Sequence, residues 1–294
     1  MSQPIGLIGV GLMGTAIAER LLKHGYALTG WDLNPDQRAQ LTRIGGRAAE
    51  SIEAIFAGCD FVVLSLPSDE VVRGVLDEHA LHLRAGQCII DTSTGDPNAV
   101  RALAQSLQQR GIEYLDATVS GSSAQVRDST AVALVGATEA ALTACQGILK
   151  AFASPVLHVG PPGSGSQMKL VTNLVLGLNR AALAEGLVFA RSLGLPLETT
   201  LTVLKSSMAY SRIMDTKGCK MIARDFSPQA KLDQHAKDVK LMLASASVTN
   251  LELPLSETHL ELLQRASELG YGEADNSAII EAYHPLKQID ESKV

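Results

Sequence analysis

Lys169 and Asn173 stand four residues apart in the segment "GSGSQMKLVTNLVLG", so on a helix they share one face. Met168, Leu170, Val171, Leu174 and Val175 around them are apolar. Burial in such surroundings would lower a lysine from its usual pKa of about 10.4 toward the range of about 7–8 that suits a general acid or base. The same spacing fits an exposed helix lysine with its stem laid along apolar surface, and on spacing alone that is the more ordinary reading.

A second group is the glycine series Gly9, Gly11 and Gly14 in "IGLIGVGLMGTAIAERL", with Leu12 and Met13 between the last two. G-x-G-x-x-G by itself also fits a plain turn between a strand and a helix. Here it follows an apolar strand and opens a helix at the first crossover of the chain. Gly9 would make the turn, Gly11 would admit a pyrophosphate to the backbone, and Gly14 would let helix and strand pack closely. The next strand, "ALTGW", is followed directly by Asp32, eighteen residues after Gly14, where an acid can bind ribose hydroxyls. A carboxylate there repels a 2′-phosphate. No arginine follows it directly in "DLNPDQ", and Arg38 falls in a predicted helix. The expected cofactor is therefore NAD, with NADP less favoured.

These residues need a frame. Up to about residue 160, β-branched runs alternate with helical patterns, which implies a parallel sheet with helices on both faces. The expected strands are "IGLIG", "ALTGW", "FVVLSL", "CIID", "IEYLD", "TAVALVG" and "PVLHVG". "VGPPGSGSQ" then reads as a boundary. A long helix is expected over 166–193, followed by helices near 198–206, 217–223, 235–248, 255–269 and 277–283. The expected fold is a Rossmann-type α/β domain, residues 1–162, followed by an all-helical substrate and oligomerisation domain, residues 163–294, with a long helix joining them. Lys169 would then lie at a cleft between the domains.

Composition narrows the function classes. A net charge of −6 argues against a nucleic-acid partner. The longest apolar stretch carries Asn173, Asn179, Arg180 and Glu185, too polar to span a bilayer, and no signal peptide is expected. Cys59, Cys88, Cys145 and Cys219 read as reduced, mostly buried thiols of a cytoplasmic protein, and the histidines show no metal-ligand spacing.

Five motifs in order, "GLIGVGLMG", "DTSTGDP", "DATVSGSSA", "GSGSQMKLVTN" and "KDVKLML", make the chain resemble the β-hydroxyacid dehydrogenase family over nearly its whole length. That family includes 3-hydroxyisobutyrate dehydrogenase and tartronate semialdehyde reductase. The resemblance implies hydride transfer between NAD(H) and the β-carbon of a small carboxylate substrate. It implies that Lys169 is catalytic and that Asn173 orients substrate. Ser120, Gly121 and Ser122 would hold the substrate carboxylate. Leu66, Pro67 and Thr94 would lie along the cofactor, and Lys237 and Asp238 would close over its nicotinamide end. A homodimer or homotetramer is also implied.

The departures are Thr118 for the family's proline, Ser122 for its second glycine, and Ala230 for a phenylalanine seven residues before Lys237. Ser122 would either add a hydroxyl contact or restrict the loop, and Ala230 suggests a roomier pocket. The basic run Arg212, Lys217, Lys220 and Arg224 reads as a solvated helix face. The competing functions are imine reduction on the same fold, disfavoured by the retained lysine, and an inactive NAD-binding sensor.

Overall fold

The computed structural model describes residues 4–283. It divides into two compact units between Lys169 and Leu170. The expected domain limits at residues 1 and 294 lie outside the described residues.

The first unit is built on one sheet, ordered β3-β2-β1-β4-β5-β6-β7-β8. Its strands are β1 (Ile5–Ile8), β2 (Leu28–Trp31), β3 (Arg47–Ala48), β4 (Phe61–Leu64), β5 (Cys88–Asp91), β6 (Glu113–Ser120), β7 (Val132–Gly136) and β8 (Val156–Gly160). The intervening helices are α1 (Leu12–Lys23), α2 (Pro35–Arg43), α3 (Ile52–Gly58), α4 (Asp69–Glu78), α5 (Pro97–Gln108), α6 (Ser123–Arg127) and α7 (Glu139–Phe152). Side-chain alternation divides the core between the sheet's two faces. Ile5, Leu7, Val63, Ile90, Leu115 and Ala117 pack with α1 and α7, while Ile8, Val62, Leu64, Ile89 and Tyr114 pack with α3, α4 and α5.

The sheet is not wholly parallel, as the sequence pattern implied. β7 runs antiparallel to β6, and β8 is again parallel to β7. Only the short α6 and its flanking turns separate β6 from β7, too little chain for a crossover that would return in the same direction. Helix α3 and helix α6 also escape the pattern, because they are too short to develop a helical period.

The chain reverses its strand order at β1, which lies between β2 and β4. The loops after β1, β2, β4, β5 and β6 thus gather at one edge of the sheet, with the crevice of a doubly wound fold between those after β1 and β4.

The second unit is helical: the remainder of α8 (Ser164–Ser192), then α9 (Leu197–Ser206), α10 (Ile213–Ala223), α11 (Leu232–Val248) and α12 (Pro254–Ala266). A π turn, Ser267–Tyr271, and a 3₁₀ segment, Asn276–Ala282, follow among the described residues, where an α-helix was expected over 277–283. Helix α8 is long and apolar enough to span a membrane by length and composition, but 44% of an apolar 18-residue window within it is buried inside the protein.

The basic run of α10 is only in part the solvated face expected: Arg212 and Arg224 are exposed, but Lys217 is not. Lys217 is buried, and its Nζ lies 2.8 Å from both carboxylate oxygens of Asp275. Lys220 donates to Ser227, and Arg224 pairs with Glu281. Burial alone would raise the Asp275 carboxyl. Hydrogen bonds from Lys217 and Ser277 outweigh it and hold the group at about 2. Its ionised form therefore contributes stability above the ordinary aspartate pKa, and that contribution is lost as pH falls toward the folded value. Removing one partner of a buried pair leaves the other uncompensated, so Lys217→Met is expected to cost about 3 kcal/mol or more. Urea denaturation checks this, and an unchanged midpoint would refute it.

Candidate active site

The glycine loop follows β1 and turns straight into α1. Gly9 has φ +93°, and a Cβ there would meet the Ser65 carbonyl at 2.3 Å. A Cβ on Gly14 would meet the Gly9 carbonyl at 2.0 Å. Gly9 thus lets the turn lie against the backbone after β4, and Gly14 lets α1 lie against the turn's own backbone. At Gly11 a Cβ would find nothing within 4 Å, so this glycine leaves open space rather than relieving a clash.

Helices α2 to α7 each receive a side-chain cap, from Asn34, Ser51, Ser68, Asp96, Ser122 and Thr138. Helix α1 receives none and has no acidic residue in its first turn. Open space at Gly11 and an uncapped helix start together fit a dinucleotide pyrophosphate, with Leu12 exposed and Met13 half-buried beside it.

Asp32 directly follows β2 and reaches back to this loop. Its Oδ2 accepts the Val10 amide at 2.7 Å, and its Oδ1 accepts the Asn34 amide at 2.9 Å. The carboxylate thus fixes the loop and sets a negative charge beside it. Arg38 turns its guanidinium onto the carbonyls of Asp32 and Leu33, at 2.5 and 3.2 Å.

The loops after β4 and β5 are joined. The Leu66 amide donates to the Ser93 hydroxyl at 3.0 Å, and the Ser93 amide donates to Asp91 Oδ1 at 2.8 Å. Tyr114 donates to the other oxygen of Asp91. Burial raises the pKa of Asp91 despite these hydrogen bonds. Leu66, exposed Pro67 and half-buried Thr94 are therefore held at one edge by a buried Asp91–Tyr114 pair that the motifs did not single out.

Strand β6 carries the other half of the arrangement. Asp116 Oδ1 accepts the Gly163 amide at 2.8 Å, and Oδ2 accepts the Ser166 amide at 2.7 Å. Thr118 is fully buried, and its hydroxyl donates to the Gly165 carbonyl at 3.2 Å. Lys169 Nζ donates to the Val119 carbonyl at 2.7 Å. Three positions of one strand thus grip the first turns of α8 and bring Lys169 Nζ to the carbonyl of the residue before Ser120. The approach is close: a Cβ on Gly165 would meet the Asp116 carbonyl at 2.4 Å.

The departures at 118 and 122 have structural explanations. Thr118 supplies a hydroxyl donor that proline lacks. Ser122 has φ −86°, so its position needs no glycine, and it forms a capping box with Gln125 at the start of α6. The loop's conformational demand falls on Gly121, at φ +152°.

In the second unit, Asn173 is buried and its Nδ2 donates to Asp238 Oδ2 at 2.9 Å. Lys237, next to Asp238 on α11, lies half-buried beside a hollow lined by Asp233, Lys240, Gln264 and Ser267. Ala230 is exposed, and its amide donates to Asp275.

The glycines separate two kinds of damage. Gly11→Ala should fold normally but weaken cofactor binding, raising the cofactor KM at least tenfold. Gly14→Ala should lower the melting temperature, because its Cβ has no room. Thermal melts with cofactor titrations check the pair, and equal melting losses would contradict it.

The family profiles match in tandem. The NAD-binding domain of 6-phosphogluconate dehydrogenase matches residues 4–160. The NAD-binding domain of NADP-dependent 3-hydroxyisobutyrate dehydrogenase matches residues 163–283. The chain is 32% identical to 2-(hydroxymethyl)glutarate dehydrogenase of Eubacterium barkeri, covering 98% of this chain and 97% of that protein. It is 30% identical to 2-hydroxy-3-oxopropionate reductase of Escherichia coli K12, covering 95% and 96% respectively. Among solved structures, 3-hydroxyisobutyrate dehydrogenase from Salmonella typhimurium superposes with a TM-score of 0.88 at 29% identity, covering 96% of this chain and all of that one. With a pyridine-nucleotide fold and relatives that are dehydrogenases and reductases over their full length, the chain is an oxidoreductase of the NAD(P)-dependent β-hydroxyacid dehydrogenase family.

Proposed function

We propose that this enzyme transfers a hydride between NAD(H) and the β-carbon of a small β-hydroxy acid or its semialdehyde. The observation that carries the reading is the hydrogen bond from Lys169 Nζ to the Val119 carbonyl, which places the amine directly before Ser120, Gly121 and Ser122. The named compounds of the three relatives share one pattern: a carboxylate with a hydroxyl or carbonyl oxygen on the β-carbon.

A nicotinamide, when bound, supplies the hydride chemistry. The chain's own groups do the rest. Ser120, Gly121 and Ser122 hold the substrate carboxylate with hydroxyl and backbone donors, which fixes the β-carbon two bonds from the carboxyl carbon. Lys169 accepts the hydroxyl proton during oxidation and returns it to the carbonyl oxygen during reduction. Asn173, its carboxamide steadied by Asp238, orients the substrate, and Lys237 serves the nicotinamide end. Gly9, Gly11, Leu12, Met13 and Gly14 receive the pyrophosphate, while Leu66, Pro67 and Thr94 line the cofactor.

Asp32 supports NAD over NADP, because its charge stands at the end of β2 and Arg38 is engaged with backbone carbonyls. The reading is of a cytoplasmic homodimer or homotetramer acting on a small carboxylate, without nucleic-acid or membrane partners.

Lys169→Ala should lower kcat by about 10²–10⁴-fold, the usual contribution of a positioned acid–base group, while NADH binding measured by fluorescence survives. Lys169→Arg should also fail, since a guanidinium does not release its proton. Near wild-type turnover in Lys169→Ala would remove the lysine from the mechanism. In a separate assay, KM should be lower for NAD than for NADP, and the reverse order would refute the role given to Asp32.

A further inference from the structure

Asp116 opens the segment "DATVSGSSA" on β6, four residues before Ser120. Its carboxylate is buried, and both of its oxygens accept amides from the start of α8. Three residues on, the same strand presents the carbonyl that receives Lys169 Nζ. The helix is thus pinned at Gly163 and Ser166 by one residue of β6, and its lysine is received by another.

We infer that Asp116 is the positioning residue for Lys169: as the carboxylate it locks the first turn of α8 against β6, and this lock sets where the lysine amine lies. The inference rests on the acid–base reading of Lys169 and deepens it.

Protonation breaks the lock selectively. A carboxylate can accept from two amides. A carboxylic acid keeps one full carbonyl acceptor, while its hydroxyl oxygen is a weaker acceptor whose O–H must be accommodated beside the second amide donor. The turn would shift there, and a misplacement of about 1 Å is enough to cost about 10²-fold in rate.

Few charged groups surround the carboxylate. Asp91 of β5 is its register partner, and Asp91 accepts from Tyr114 on β6. On β7 its neighbour is Gly136, without a side chain. From α5, Arg101 lies beside Gly163, and from α8 comes Lys169. Burial raises the Asp116 carboxyl to about 6, with the Ser166 and Gly163 amides opposing it. Because the folded pKa lies above the unfolded one, protonating this group favours the folded state. Acidification through pH 6 should therefore reduce activity through Asp116 without reducing stability through it.

The test is the kcat–pH profile of Asp116→Asn against wild type, with melting temperature followed in parallel. The asparagine retains the shape but presents a donor to one of the two amides. The expected result is a kcat about 10–100-fold lower at pH 7.5, loss of the acidic limb near pH 6, and unchanged NADH binding. A crystal structure of the variant should show Lys169 Nζ withdrawn from the Val119 carbonyl. A folded variant with wild-type kcat and an intact acidic limb overturns the inference, as does a structure with the Lys169 contact unmoved. That contact is read independently of catalysis, so it separates this failure from a failure of Lys169 as the acid–base group, which only Lys169→Ala reports. If the variant does not fold, wild type decides: kcat must fall through pH 6 while the melting temperature does not, and a flat kcat from pH 7 to pH 5 overturns the inference.

Discussion

A buried carboxylate on a strand, answered by two amides at the start of a helix, joins the chemical parts of this molecule. Asp116 is costly to ionise where it sits, and the Gly163 and Ser166 amides oppose that cost. The positive end of α8 favours the same charge. Because Asp116, Thr118 and Val119 lie on one strand and engage one helix start, the strand that ends in Ser120 also determines where Lys169 lies. The proposed acid–base group and the proposed carboxylate-binding loop thus share one structural origin.

The cofactor side is fixed by a comparable economy of parts. Gly9 and Gly14 allow backbone to lie on backbone, and Asp32 ties the resulting loop to the end of the next strand. Asp91 does the same for the loops after β4 and β5 through Ser93. Carboxylates that accept backbone amides, half-buried at Asp32 and buried at Asp91 and Asp116, therefore recur along this edge of the sheet. Their role is to hold loops rigidly, which is what orientation of a cofactor and a substrate requires.

Much of this was legible in the sequence because the signals are local. The glycine loop, the strand before it and Asp32 follow one another at short spacing, and Lys169 and Asn173 are one helical turn apart. The features that stayed hidden depend on distant partners. The lysine's acceptor is a backbone carbonyl fifty residues earlier, and a carbonyl has no sequence signature. Lys217 looked like part of a solvated basic face because its partner, Asp275, is 58 residues away. The reversed direction of β7 comes from the length of one connection, which a pattern of alternating strands and helices does not weigh. Thr118 and Ser122 looked like changes to a pocket. Thr118 also ties β6 to α8 through its hydroxyl, and Ser122 also caps α6, and both roles are visible only once the partner elements are placed.

The central claim is that a carboxylate held after β6 presents its β-carbon, and not its α-carbon, for hydride transfer. The most direct measurement is NADH formation from a panel of small hydroxy acids that pairs each β-hydroxy acid with its α-hydroxy isomer, with hits ranked by kcat/KM. Turnover of β-hydroxy acids with their α-isomers silent is the predicted result. Equal turnover of the α-isomers, or no turnover of any pair while NAD still binds, would contradict the account.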